Sequence, residues 1–204
     1  MAPFRITICG IEELTDHGET GASHVLSILD PDWPVPEAFG SFGEHAKLEL
    51  RFHDVIEEDA GAAPQQQDVA RLLRFGRDLT TEPPEGAHLL VHCHAGVSRS
   101  TAAMALILAQ THPDLPARQV MQEVLRIRPQ AWPNLRIIEL GDALLSLNGA
   151  MIAAAIEVYS LQLARRPELA DAMIGGGRGR EVAAARRLNA APTHAGRNDI
   201  PRPA

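Results

Sequence analysis

"LLVHCHAGVSRSTAAMAL", residues 89–106, sets a cysteine at the seam between an apolar run and a run of helix formers. Ahead of the seam, "AHLLVHC" reads as a buried strand. Behind it, "SRSTAAMALILAQTH" is largely apolar and reads as a buried helix. Between Cys93 and Arg99 lie His94, Ala95, Gly96, Val97 and Ser98. A loop of this kind can turn its N–H groups inward, and the first turn of the helix adds more unpaired donors. Backbone and helix dipole together make an anion cradle. Gly96 permits a turn that a Cβ would hinder. Arg99 brings a planar fork that matches two oxygens of a phosphate, as Lys could not. The same positive surroundings favour the thiolate of Cys93, the nucleophilic form. A thiolate beneath a bound phosphate is placed for in-line attack on phosphorus, and Ser100 can donate to the sulfur and ease its later departure. A lone cysteine here would read as core. Cys, Gly and Arg at these offsets, between a strand and a helix, read as a site. No Gly-Lys-Ser/Thr closes the loop, so it is not a Walker loop.

Outward from this segment the chain alternates. "FRITICGI", "SHVLSIL" (23–29) and "KLELRF" (47–52) read as strands, and "DPDWPVPEAFGSFG" between the last two reads as loop. Val69, Leu72, Leu73, Gly76 and Leu79 recur at helical spacing, with Asp68 as a cap. "ARQVMQEVLRIR", "NLRIIELGDALLSLN" and "MIAAAIEVYSLQLARR" read as later helices. Asn134 caps the second of these and Gly149 stops it. Strands alternating with helices, then a helical second half, argue an α/β sheet covered by helices. The expected organisation is one domain over 1–150, a helical extension over 151–174, and a flexible tail over 175–204. The tail is poor in large apolar residues, with at most a short helix over "REVAAARRL".

"VHCHAGVSRS" resembles the active-site signature of the cysteine-dependent protein tyrosine phosphatases. Its Gly-Val-Ser-Arg-Ser ending is most similar to the dual-specificity branch, in a small phosphatase of bacterial type. The resemblance is specific at 91–100 and extends diffusely over 4–148. It implies a three-layer α/β/α phosphatase fold with a mostly parallel sheet, a phosphocysteine intermediate, and neither metal nor other cofactor. Carried over position by position, Cys93 is the nucleophile. His94, Ala95, Gly96, Val97, Ser98 and Arg99 bind phosphate. Ser100 assists the second step, and His92 orders the loop by hydrogen bonding.

The resemblance also implies an Asp, well upstream of the cysteine, that protonates the leaving oxygen and later activates water. "LRFHDVIEEDAGAAPQQQD" offers Asp54, Glu57, Glu58, Asp59 and Asp68. Asp54 directly follows "KLELRFH", where the acid-bearing loop of the family begins, and is the expected acid. Asp59 is the runner-up, and Glu57 and Glu58 read as solvated. His92 and His94 flank Cys93, but neighbouring strand residues point to opposite faces and no second Cys/His cluster exists. Cys9 reads as core, and Trp132 in "RPQAWPN" as core or pocket wall. Low-molecular-weight phosphatases and arsenate reductases share the Cys-to-Arg spacing, but carry the cysteine near the N-terminus and the acid after it. A rhodanese-like domain lacks the Gly-Val-Ser-Arg-Ser sequence.

The composition fits this reading. The chain has 204 residues, 45% of them hydrophobic and 4% aromatic, which calls for an aliphatic core. A formal charge of −7 gives no reason to expect nucleic acid. Two distant cysteines, no visible secretory signal and no membrane-length apolar run point to a cytoplasmic enzyme. The expected partner is a phosphorylated protein or a small phosphomonoester. The expected activity is a protein tyrosine or dual-specificity phosphatase. The alternatives are a catalytically weak phosphate-binding module of the same fold, or a phosphatase of a small metabolite. The loop adds no Lys, which favours phosphoprotein over inositol lipid.

Overall fold

The structure, a computed structural model, describes residues 4–81 and 85–190. Four parallel strands form one sheet in the order β1-β4-β2-β3: β1 (Arg5–Cys9), β2 (His24–Leu29), β3 (Ala46–Arg51) and β4 (His88–His92). Cys9 and Ser27 both pair in register with His92, and Leu29 with Arg51. In a parallel sheet every carboxyl end lies at one edge. The residues that follow the strands, from Gly10, Asp30, Phe52 and Cys93 onward, therefore meet there.

Alternation along the strands divides the core. Ile8, Leu26, Ile28, Leu50, Leu89 and Val91 face the α-helices. Cys9, Val25 and Leu90 face the other way, against Leu14, Phe39 and Phe42 from two short 3-10 turns (Leu14–His17 and Glu37–Ser41). The sheet thus lies between a thick helical layer and a thin one.

Helix α1 (Gln66–Thr81) buries the five expected apolar positions, and Asp68 Oδ2 accepts from Gln65 N–H at 3.0 Å, the cap expected of it. Helix α2 (Arg99–Thr111) is central and buried from Arg99 to Ala109. Helix α3 (Ala117–Ile127) packs beside it. Asn134 Oδ1 caps α4 (Leu135–Leu144) by accepting from Ile137 N–H at 3.0 Å. Gly149, at φ +85°, separates α4 from α5 (Ala150–Arg165).

The expectation of a flexible tail from residue 175 fails for its first part. After α6 (Leu169–Gly175), α7 (Gly179–Ala190) packs along α5 and buries Val182, Ala184 and Ala185. These residues are small, so composition hides them. Arg178 and Glu181 are 5% and 0% exposed because each finds a buried partner. The "REVAAARRL" helix is present within α7. Residues 191–204 lie outside the described residues. Tyr159 of α5 is fully buried and stacks on Trp132, centroids 4.9 Å apart.

Candidate active site

Cys93 directly follows β4 at the convergent edge of the sheet and is 2% exposed. Its Sγ lies 3.3 Å from Ser100 Oγ, close enough for the hydroxyl to donate to sulfur. The loop carbonyls all turn outward to donors. His94 O accepts from Ile11 N–H (2.9 Å), Val97 O from Trp132 N–H (2.9 Å) and Ser98 O from Ala102 N–H (3.0 Å). Arg128 takes the two at the apex, donating from Nη2 to Ala95 O and from Nε to Gly96 O, both at 3.0 Å. Glu13 steadies Arg128 by accepting from its Nη1 at 2.9 Å, and that contact holds the Glu13 carboxyl below the usual range. Among the described residues, none of the N–H groups of 94–98 has an acceptor. Outward carbonyls with unpaired amides are what an oxyanion needs. Gly96 is required in this arrangement. Its φ is +68°, and a Cβ there would meet the carbonyl carbon of Cys9 at 2.4 Å.

Arg99 opens α2 and is 3% exposed. Its Nη1 donates to Asp30 Oδ1 (2.7 Å) and to Phe52 O (2.6 Å). Its Nε is buried without a partner among the described residues. The Nε–Nη2 edge is therefore left for two oxygens of a ligand. Asp30 also donates from its backbone N–H to His94 Nε2 (3.2 Å), which requires that nitrogen to be unprotonated. Burial and the Arg99 charge lower the pKa of the His94 imidazole, in keeping with that role.

Asp54, after β3, reaches the loop. Its Oδ1 accepts from Ser98 Oγ (2.7 Å), Asn134 Nδ2 (2.8 Å) and Arg178 Nη1 (3.2 Å). Asp59 sits exposed in the next turn with Glu57 and Glu58, so of the two candidate acids only Asp54 is brought to the cradle. His92 differs from expectation. Neither ring nitrogen has a hydrogen-bond partner among the described residues, and the ring packs on Phe39 at 5.4 Å instead. Burial depresses its pKa to about 4, so the ring is neutral beside Cys93. Cys9 is core, and burial, with Glu13 nearby, pushes its thiol up to about 12. Both cysteines are free, and among the described residues no group of three or more His, Cys, Asp or Glu is placed to hold a metal ion.

Three contributors went unread in the sequence. Arg128 lies in the "RPQAWPN" segment, where the sequence marks only Trp132. Asp30 opens a loop read as a connector. Arg178 lies in the supposed tail. Only the position of Asp30, directly after β2, could have marked it.

No protein-family model matches the chain. A curated relative, the human protein phosphatase Slingshot homolog 3, is 33% identical over 93 residues, which is 44% of this chain and 13% of that protein. The match thus spans a small part of that relative's length. Among solved structures, human DUSP28 superposes with a TM-score of 0.51 at 19% identity, covering 70% of this chain and 94% of that one. The Cydia pomonella PTP-2 phosphatase gives 0.52 at 22% identity, covering 68% and 84%. The chain has a dual-specificity-phosphatase-like fold. The likeness carries the fold, and the cradle geometry carries the chemistry. Among the described residues no helix is long and apolar enough to cross a membrane.

Proposed function

We propose that the protein hydrolyses phosphomonoesters through a phosphocysteine intermediate, as a protein tyrosine or dual-specificity phosphatase. The observation that carries this is the set of unpaired donors around Cys93, with Asp54 held against the same loop at Ser98. In the first step the Cys93 thiolate attacks phosphorus as the bond to the leaving oxygen breaks. The loop amides and the Arg99 edge hold the equatorial oxygens. Asp54 gives its proton to the departing oxygen. In the second step Asp54 takes a proton from water as the water oxygen bonds to phosphorus. The P–S bond breaks, and the Ser100 hydroxyl supports the returning thiolate. Cys93, Arg99 and Asp54 are all present and converge, which favours turnover over a binding module.

The rim favours a phosphorylated side chain as substrate. Trp33 is 45% exposed and stands edge-on to His94, centroids 4.5 Å apart. Arg51 Nη1 fixes its loop by donating to the carbonyls of Asp30, Pro31 and Trp33. An anchored indole at the cradle mouth can lie along an aryl phosphate. Two free thiols suit a reducing cytoplasm.

The test is hydrolysis of p-nitrophenyl phosphate, unaffected by EDTA and inhibited by vanadate. Cys93→Ser abolishes it, and Arg99→Lys loses most of it because the bidentate edge is gone. Turnover persisting in Cys93→Ser would refute the mechanism. Phosphorylated species retained by Cys93→Ser from a lysate, identified by mass spectrometry, separate protein from metabolite substrates.

A further inference from the structure

The turn between α6 and α7 sends Arg178 into the site, and the first turn of α7 sets Arg180 along its edge. Arg178 Nη1 donates to Asp54 Oδ1 (3.2 Å) and to Ser98 Oγ (3.1 Å). Its Nη2 donates to Glu181 Oε1 at 2.7 Å. Glu181 is 0% exposed and also accepts from Trp132 Nε1 (2.5 Å) and Leu135 N–H (2.9 Å). Two residues on, Arg180 Nη2 donates to Ile56 O at 2.8 Å, and its Nε to Glu57 Oε1 at 3.3 Å. Residues 54–57 are therefore held from one side by the start of α7.

Resting on the phosphatase reading, we propose that Arg178 is a positioning residue that holds Asp54 over the phosphate cradle, so that the C-terminal helices complete the active site. Three donors converge on Asp54 Oδ1, which leaves no room there for a proton. The proton for the leaving oxygen is carried on Oδ2, which none of these donors occupies. Arg178 fixes that orientation by tying Asp54 and Ser98 to one guanidinium, itself anchored through buried Glu181. A loop that would otherwise have to close over each substrate is strapped in place beforehand. Both Nη atoms of Arg178 are committed to protein acceptors and its Nε is buried without a partner among the described residues, so the contacts it makes run to Asp54, Ser98 and Glu181.

The test compares a phosphotyrosine peptide with an activated aryl phosphate in the full chain. Removing Arg178 alone would leave Glu181 as an uncompensated buried charge. The first variant is therefore the charge-neutral pair Arg178→Met/Glu181→Gln, and Arg180→Ala is a milder second. For the pair, kcat on the peptide should fall about 10- to 100-fold, part of a full acid–base contribution, with KM within about threefold. The loss should shrink on the activated ester. Adding the pair to Asp54→Ala should cost little more than Asp54→Ala alone. Arg178→Lys, which keeps a donor at the site, should recover part of the loss. Equal losses on both substrates, effects that add to Asp54→Ala, or weakened vanadate binding would each overturn the proposal. If the pair does not fold, Arg180→Ala is read by the same criteria. If the wild type turns over no phosphomonoester, the phosphatase reading falls separately. The strap is then judged by hydrogen exchange over 53–60, where protection unchanged in Arg180→Ala would refute it.

Discussion

Arg99 Nη1 donates to Asp30 Oδ1 at 2.7 Å, although the two residues lie 69 positions apart. The ion pair sets two effects against each other. It aligns the guanidinium, but it also places a carboxylate near the site of a bound dianion. The second acceptor, Phe52 O, sits on the same nitrogen. Losing Asp30 would let the fork pivot about that single contact. Alignment is the larger effect, because the carboxylate is over one-third exposed and its repulsion is screened by solvent. Asp30→Ala should lower kcat/KM about tenfold, and Asp30→Asn less, since its amide oxygen still accepts. Tighter vanadate binding in Asp30→Ala would show that repulsion dominates instead.

His92 makes stability depend on acid pH. Its folded pKa is about 4 against an ordinary 6.5, because burial penalises the imidazolium. The unfolded chain binds a proton that the folded chain refuses between those values. Stability is thus complete above 6.5 and is lost as pH falls toward 4, by up to about 3 kcal/mol from this residue. His24, His88 and His94 are shifted in the same direction, so the wild type alone does not isolate it. Denaturant midpoints of His92→Phe should fall less steeply than wild type from pH 6.5 to 4. Parallel slopes would mean that His92 is not the group responsible.

The cradle was legible because its parts are local. Cys93 to Arg99 is one strand, one loop and one helix start, and the backbone there leaves few choices. Asp54 was legible because it follows a strand of a parallel sheet, and every such position falls on the same edge. Arg178 was not, because its contact with Asp54 spans 124 residues and sits in a segment whose small residues look like tail. The role expected of His92 failed for another reason. Sequence places it beside the loop, but its ring points to the thin side of the sheet, where Phe39 offers packing and no acceptor. Arg128 is intermediate, since its segment was noticed but its two carbonyl contacts depend on how α3 ends.

The same reasoning makes the segment after Gly175 part of the folded core rather than a tail. A chain ending at Gly175 loses Glu181, which leaves the Trp132 indole N–H and the Leu135 N–H without their acceptor, at about 1–3 kcal/mol each. It also loses the burial of Val182 and Ala185 against α5. Melting should drop by roughly 5 °C or more, or the protein should aggregate. An unchanged melting temperature would show that α7 adds nothing to the core.

Asp54 as the acid makes a prediction that depends on the leaving group. Transfer of phosphorus to sulfur leaves negative charge on the departing oxygen. The proton therefore matters most for an alkoxide, less for the phenolate of tyrosine, and little for an activated aryl oxide. Asp54→Ala should depress phosphopeptide turnover by about 10² to 10⁴ and activated esters far less. Phosphate and vanadate should still bind, because the amides of 94–98 and the Arg99 edge are untouched. Asp59→Ala, altering an exposed side chain in the turn beyond, should leave every one of these quantities near wild type. If Asp59→Ala shows the leaving-group dependence and Asp54→Ala does not, then Asp54 serves only to pin Ser98 and Asn134. The loop would in that case have to swing Asp59 inward during turnover, against the hold of Arg180 on Ile56 and Glu57.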